Sequence, residues 1–195
     1  MKLFGPPLKD VYADLAAKTG ALFITGSFVK SPAVALEHGN IRILLDTYTV
    51  STGKSSVTYT RMRAAFKRIQ DIQLRLTRRN IFSGIGSFFG MPVIGSYDYD
   101  FDDKYVLKGN DEGAVREIFQ STELKEAVIL QKNLILKVYP YKEKKSHFSS
   151  EIYFQVTGVI KDIDKLRNLF SMFTILLDEV VRLGIASDEK SDVVL

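Results

Sequence analysis

The chain has 195 residues, 46% of them hydrophobic and 26% charged, with a net charge of +4. A chain of that length can bury roughly 70% of the surface it exposes when unfolded, so its core needs no staples. The absence of cysteine excludes disulfides and thiol chemistry and removes the commonest structural zinc ligand.

Met1–Phe4 runs straight into Gly5, Pro6 and Pro7, so no signal peptide is expected there. The most apolar run, Leu169–Leu177, contains Ser171 and Thr174 and is too short to span a bilayer. These features lead us to expect a soluble, cytoplasmic protein.

Pro6 and Pro7 introduce Leu8, Val11, Tyr12 and Leu15, the apolar stripe of a short helix that ends near Gly20. Ala21–Val29 and Ala33–Glu37 read as strands, broken by Ser31-Pro32. His38-Gly39-Asn40 turns the second into Ile41–Val50 as a hairpin. After the turn at Ser51–Lys54, the β-branched and aromatic stretch Ser55–Phe66 and the alternating Ile72–Thr77 continue what reads as an antiparallel meander over 33–79.

Residues 81–95 form a glycine-studded apolar loop. Asp98, Asp100 and Asp102 then alternate with Tyr97, Tyr99 and Phe101, the pattern of an edge strand with a charged outer face. A strand at Tyr105–Lys108 leads to a helix capped by Asn110, and a second short helix runs from Thr122 to about Leu130. Leu134–Tyr139 and Ile152–Thr157 are the last strands.

The longest helix closes the chain, Asp162 to Leu183. Ile163, Leu166, Phe170, Phe173, Leu177 and Val180 recur three and four apart, and Leu169, Leu176 and Leu183 widen the stripe. Asp162 suits the N-cap and Gly184 the residue past the end. A stripe this broad needs a sheet to lie on. The expected fold is therefore α+β: a curved, mostly antiparallel sheet of six to eight strands with the long C-terminal helix packed on it. Residues 1–186 form one domain and 187–195 a flexible tail.

Charge is unevenly spread. Residues 54–79 hold eight Lys/Arg against the single acid Asp71, whereas 97–126 hold nine acids against four bases. Such asymmetry points to an anionic partner or to basic and acidic strands that neutralise each other across a sheet.

No motif carries catalytic chemistry. Gly84-x-Gly86-x-x-x-Gly90 has the wrong spacing for a dinucleotide fingerprint and is followed by Pro92 rather than a helix. Asp98-x-Asp100-x-Asp102 lacks the glycine and glutamate of a calcium loop. Neither His38 nor His147 has a histidine or cysteine one helical turn away, and Ser51, Ser55 and Ser56 around Lys54 read as turn chemistry. The reading leans away from an enzyme, and no cofactor or metal is expected.

Two surfaces invite binding. Phe82, Phe88 and Phe89 follow Arg75, Arg78 and Arg79 on the glycine-rich loop; apolar side chains rimmed by basic ones suit a membrane surface or a protein partner. The alternative is that the phenylalanines fold back as a lid on the core. Tyr59, Arg61 and Arg63 share one strand face, and Arg75, Thr77 and Arg79 the face of a neighbouring strand, as a single-strand nucleic-acid binder would arrange them. The low net charge and the single tyrosine argue against that partner. The breadth of the last helix leaves room for a homodimer.

Leu45–Ser56 (LDTYTVSTGKSS), Phe101–Glu112 (FDDKYVLKGNDE) and Val156–Asp162 (VTGVIKD) together resemble a group of uncharacterised bacterial proteins of about this length. The resemblance implies a bacterial, cytoplasmic origin and carries over no activity. The function expected from the residues is a non-catalytic binding or interaction module working through the basic-apolar loop 75–95. The alternative is a carrier that holds a hydrophobic small molecule between the sheet and the C-terminal helix.

Overall fold

Apolar–polar alternation writes most of the strands, and their order is set by partners far away in sequence. The computed structural model describes residues 5–27, 30–79, 90–131, 134–141, 148–193 and 195. In chain order the elements are α1 (Leu8–Thr19), β1 (Leu22–Ile24), β2 (Ala33–His38), β3 (Ile41–Ser51), β4 (Ser56–Lys67), β5 (Leu74–Arg78) and β6 (Val93–Ile94). There follow α2 (Tyr99–Lys104), β7 (Tyr105–Gly109), α3 (Glu112–Ile118), α4 (Thr122–Ile129), β8 (Ile135–Pro140), β9 (Ser149–Thr157) and α5 (Ile163–Arg182).

Among the described residues the strands form one nine-stranded antiparallel sheet in the order β1-β2-β3-β4-β9-β8-β5-β7-β6. The count exceeds the expected six to eight because the margins are finished by strands of only three and two residues. Such short margins present little backbone for edge-to-edge pairing.

One side of the sheet is the core. Ile43 and Leu45 of β3, Met62, Ala64 and Phe66 of β4, Ile152 and Phe154 of β9, and Leu136 and Val138 of β8 point to it and are buried. Against them α5 lays Leu166, Leu169, Phe170, Met172, Phe173, Leu176, Leu177 and Val180, none more than 3% exposed. Side chains of that size stabilise by ~1.5–3 kcal/mol each when fully buried. α1 packs beside α5 over β1 and β2 through Val11, Tyr12 and Leu15, while α3 and α4 add Val115, Ile118, Leu124 and Val128 on the other flank. The result is two layers, with all the long helices on one face.

The ends of α5 follow the sequence. The Asp162 carboxylate accepts the Lys165 N–H at 3.2 Å, and Gly184 takes a left-handed φ of 66° just past the last turn. Beyond it Ile185 and Ala186 are buried, and the Ser187 N–H donates to the Lys67 carbonyl at 2.9 Å. Residues 187–193 then pass round the strand ends. Asp188 accepts from Asn40, Glu189 pairs with Lys67, Ser191 meets Ser149, and Leu195 packs on Ala33, Ala35 and Leu44 on the far face.

Three local expectations are corrected. The meander stops at β4, because β9 and β8 insert between β4 and β5. Tyr99–Lys104 are helical, not extended: Asp98 caps α2, accepting the Phe101 N–H at 3.1 Å. Asp111 rather than Asn110 caps α3; Asn110 instead ties the start of β5 through Gln73 N–H and the Asp71 carbonyl.

Candidate functional site

Of the residues singled out in the basic-apolar loop, the three arginines fall among the described residues. Arg75 is half-buried on β5, on the face away from the helices, where burial lowers its guanidinium below the ordinary value. Arg78 is half-buried at the end of β5 opposite Tyr105. Arg79 is exposed, and its guanidinium donates to the Asp103 carbonyl at 3.1 Å and the Asp102 carbonyl at 2.6 Å. It thereby satisfies carbonyls at the C-terminal end of α2. Phe82, Phe88 and Phe89 lie outside the described residues.

The helix-free face of the sheet holds a polar network that sequence reading recognised only in part. Tyr59, Arg61 and Arg63 do share this face, but their strand β4 is flanked by β3 and β9 rather than by β5. Asp46 of β3 receives two bonds from Arg61, at 2.8 and 2.6 Å, and one from Arg63 at 3.2 Å. Tyr48 stacks on Tyr59 with centroids 5.2 Å apart, and the Arg61 guanidinium lies 4.7 Å from the Tyr48 centroid. The hydroxyls of Tyr48 and Tyr153 both donate to Gln155 Oε1 at 2.7 Å.

Deeper in that face, the Tyr139 hydroxyl donates to Glu151 Oε2 at 2.6 Å. Glu151 is 4% exposed, and burial pushes its carboxyl above the usual range against the pull of Tyr139 and Arg63. Its other oxygen and Arg63 Nε have no hydrogen-bond partner among the described residues. Asp46, Tyr48, Tyr139, Glu151, Tyr153 and Gln155 were missed as site residues. Their signal was present in β8 and β9, where Lys137, Tyr139, Glu151, Tyr153 and Gln155 alternate with Leu136, Val138, Ile152, Phe154 and Val156.

The second place is concave. A groove of about 470 Å³ opens where α5 meets the β2–β3 hairpin, lined by His38, Gly39, Asn40 and Ile41, by Leu177, Asp178, Val181 and Arg182, and by Asp188 of the chain beyond α5. The hairpin has a two-residue loop, with His38 paired to Ile41 and Gly39 at φ 56°. That left-handed first position is the one a side chain tolerates poorly, so glycine sets the tight turn that brings the hairpin over the helix. His38 Nε2 and Asp178 Oδ1 hydrogen-bond at 2.6 Å, joining hairpin to helix beside the opening. The floor is apolar: Ile41 is 4% and Leu177 1% exposed, with Val181 half-buried next to them.

Its size lies within the few hundred Å³ of small-molecule sites, and an apolar floor with a polar rim is their usual anatomy. None of the described helices is long and apolar enough to cross a membrane.

No protein-family model and no curated protein matches this chain. Among solved structures it is similar to the mycobacterial trehalose monomycolate transport factor A, TtfA, at a TM-score of 0.50 and 11% identity. The match covers 88% of this chain and 95% of that one. At that identity the likeness is one of fold, extending over nearly all of both chains.

Proposed function

We propose that this chain is a binding protein that carries a small amphipathic molecule in the groove between α5 and the β2–β3 hairpin. The groove itself carries the reading. Most of the stripe of α5 is spent on the sheet, but at Leu177 and Val181 it meets the hairpin tip and leaves a groove of ligand size above apolar side chains. The name of the fold neighbour, a transport factor for a trehalose monomycolate, supports a carrier by analogy of fold alone.

Filling the groove tests it. Val181→Trp places bulk over the floor from a half-buried position. It should weaken binding of an eight-carbon amphiphile at least about tenfold, about 1.4 kcal/mol, while the melting temperature stays within a few degrees. Undiminished binding would remove the groove from consideration.

A second reading, an interaction module working through 75–95, draws on the open sheet face. There Arg75 lies on the same side as the Arg61–Arg63–tyrosine network, so a partner gripping the loop would meet a polar, aromatic surface suited to an interface.

A further inference from the structure

The floor of the groove sets how much apolar surface a ligand can cover, and the rim sets its charge. The donor-bearing side chains of that rim, Arg182, Asn40 and His38, each already have a partner. Arg182 gives both Nε and Nη2 to Glu179 Oε2, at 3.1 and 2.7 Å. The Asn40 amide donates to the Asp188 carbonyl at 3.0 Å, and the His38 ring is held to Asp178 at 2.6 Å. Just off the rim, Arg42 is paired with Glu37 at 2.6 Å and Lys67 with Glu189.

Among the residues that line the groove itself, what is left unspent is acidic. The second oxygen of Asp178 projects from a side chain 68% exposed. The Asp188 carboxylate has no ion pair among the described residues. Even an imidazolium at His38 would cancel only one of these two charges. Beside low-dielectric walls, uncancelled charge of one sign focuses the field on whatever enters.

We infer that the groove takes an amphipathic cation: a short apolar chain or ring ending in an ammonium group, with the ammonium between Asp178 and Asp188 and the apolar part on Ile41, Leu177 and Val181. This rests on the groove being the binding site, as proposed above. A carboxylate-headed ligand of the same length would face two like charges at the same position.

Isothermal titration calorimetry with octylammonium, octanol and octanoate separates head-group from tail. Octylammonium should bind most tightly and octanoate most weakly, about tenfold or more apart, with the gap narrowing at high salt. The double variant Asp178→Asn, Asp188→Asn should bring the two ions to near-equal affinity and leave octanol unchanged. Octanoate binding as well as octylammonium would overturn the charge assignment while leaving the groove in place. Failure of all three to bind, or binding that Val181→Trp does not weaken, would overturn the groove and this inference together.

Discussion

A single carboxyl shows how the helix-free face is balanced. Glu151 sits within β9, almost sealed from water, with one oxygen bonded to Tyr139 and the other without a partner among the described residues. Burial penalises its charged form, so its folded pKa lies above the ordinary glutamate value. The sign follows from linkage: below the unfolded pKa of about 4.3 both states are protonated and the burial of charge costs nothing. As pH rises through the window up to the folded pKa, the unfolded state ionises first and stability falls, then levels off. Glu151→Gln keeps an acceptor for Tyr139 and removes that charge. The variant should therefore melt above wild type at neutral pH, with the difference shrinking toward zero below about pH 4. Thermal melts across that range decide it: a variant that melts lower at neutral pH would mean that the carboxylate is held ionised by Arg63. The sequence shows Glu151 as one polar residue among alternating ones, on the wet side of a strand. What it does not show is that Tyr139 lies directly opposite on β8, because that register is a fact about two strands.

Elements were legible where a local pattern had no competitor. α5 repeats its apolar positions over twenty residues and has a cap at one end and a glycine past the other, so propensity, periodicity and tertiary burial agree. At 98–102 the local signals conflict. The alternation of aspartates with aromatics suggests an extended segment, yet of the three rings only Phe101 is buried, while Tyr97 and Tyr99 are 78% and 85% exposed. A strand would have put all three on one side; a single turn of helix capped by Asp98 buries one and releases the others. Capping thus outweighed an apparent period of two. The same device makes α5 testable. Asp162→Ala leaves the Lys165 N–H without its acceptor and should lower the melting temperature by about 2–4 °C for a domain of this size. Asp162→Asn, which keeps an acceptor oxygen, should recover most of it. An Ala variant as stable as wild type would show that sheet packing alone fixes where the helix begins.

Across the whole molecule, composition and patterning were enough to specify an antiparallel sheet with a long helix on it, but not which strands are neighbours. β9 pairs with β4 along Thr60–Lys67 although some ninety residues separate them, and nothing local in either strand names the other. The groove was hidden for the same reason: residues 38–41, 177–182 and 188 form no motif and meet only once the hairpin crosses the helix. This topology makes stability uneven. β4, β9 and β8 have neighbours on both sides and α5 over their buried face. β1 and β6 are margins of three and two residues, with Leu22 60% and Val93 65% exposed. Strands so placed open at different free energies, local at the margins and global in the centre. Amides of Met62–Ala64 and Ile152–Phe154 should therefore exchange only when the whole chain unfolds, and their protection should fall steeply with added urea. Those of β1 and β6 should exchange orders of magnitude faster, by fraying that low urea barely changes. Hydrogen exchange read by mass spectrometry or NMR resolves the two classes. A margin as protected and as urea-sensitive as the centre would mean that the sheet unfolds as one cooperative block out to its last strand, with the short edges held by contacts stronger than their own length supplies.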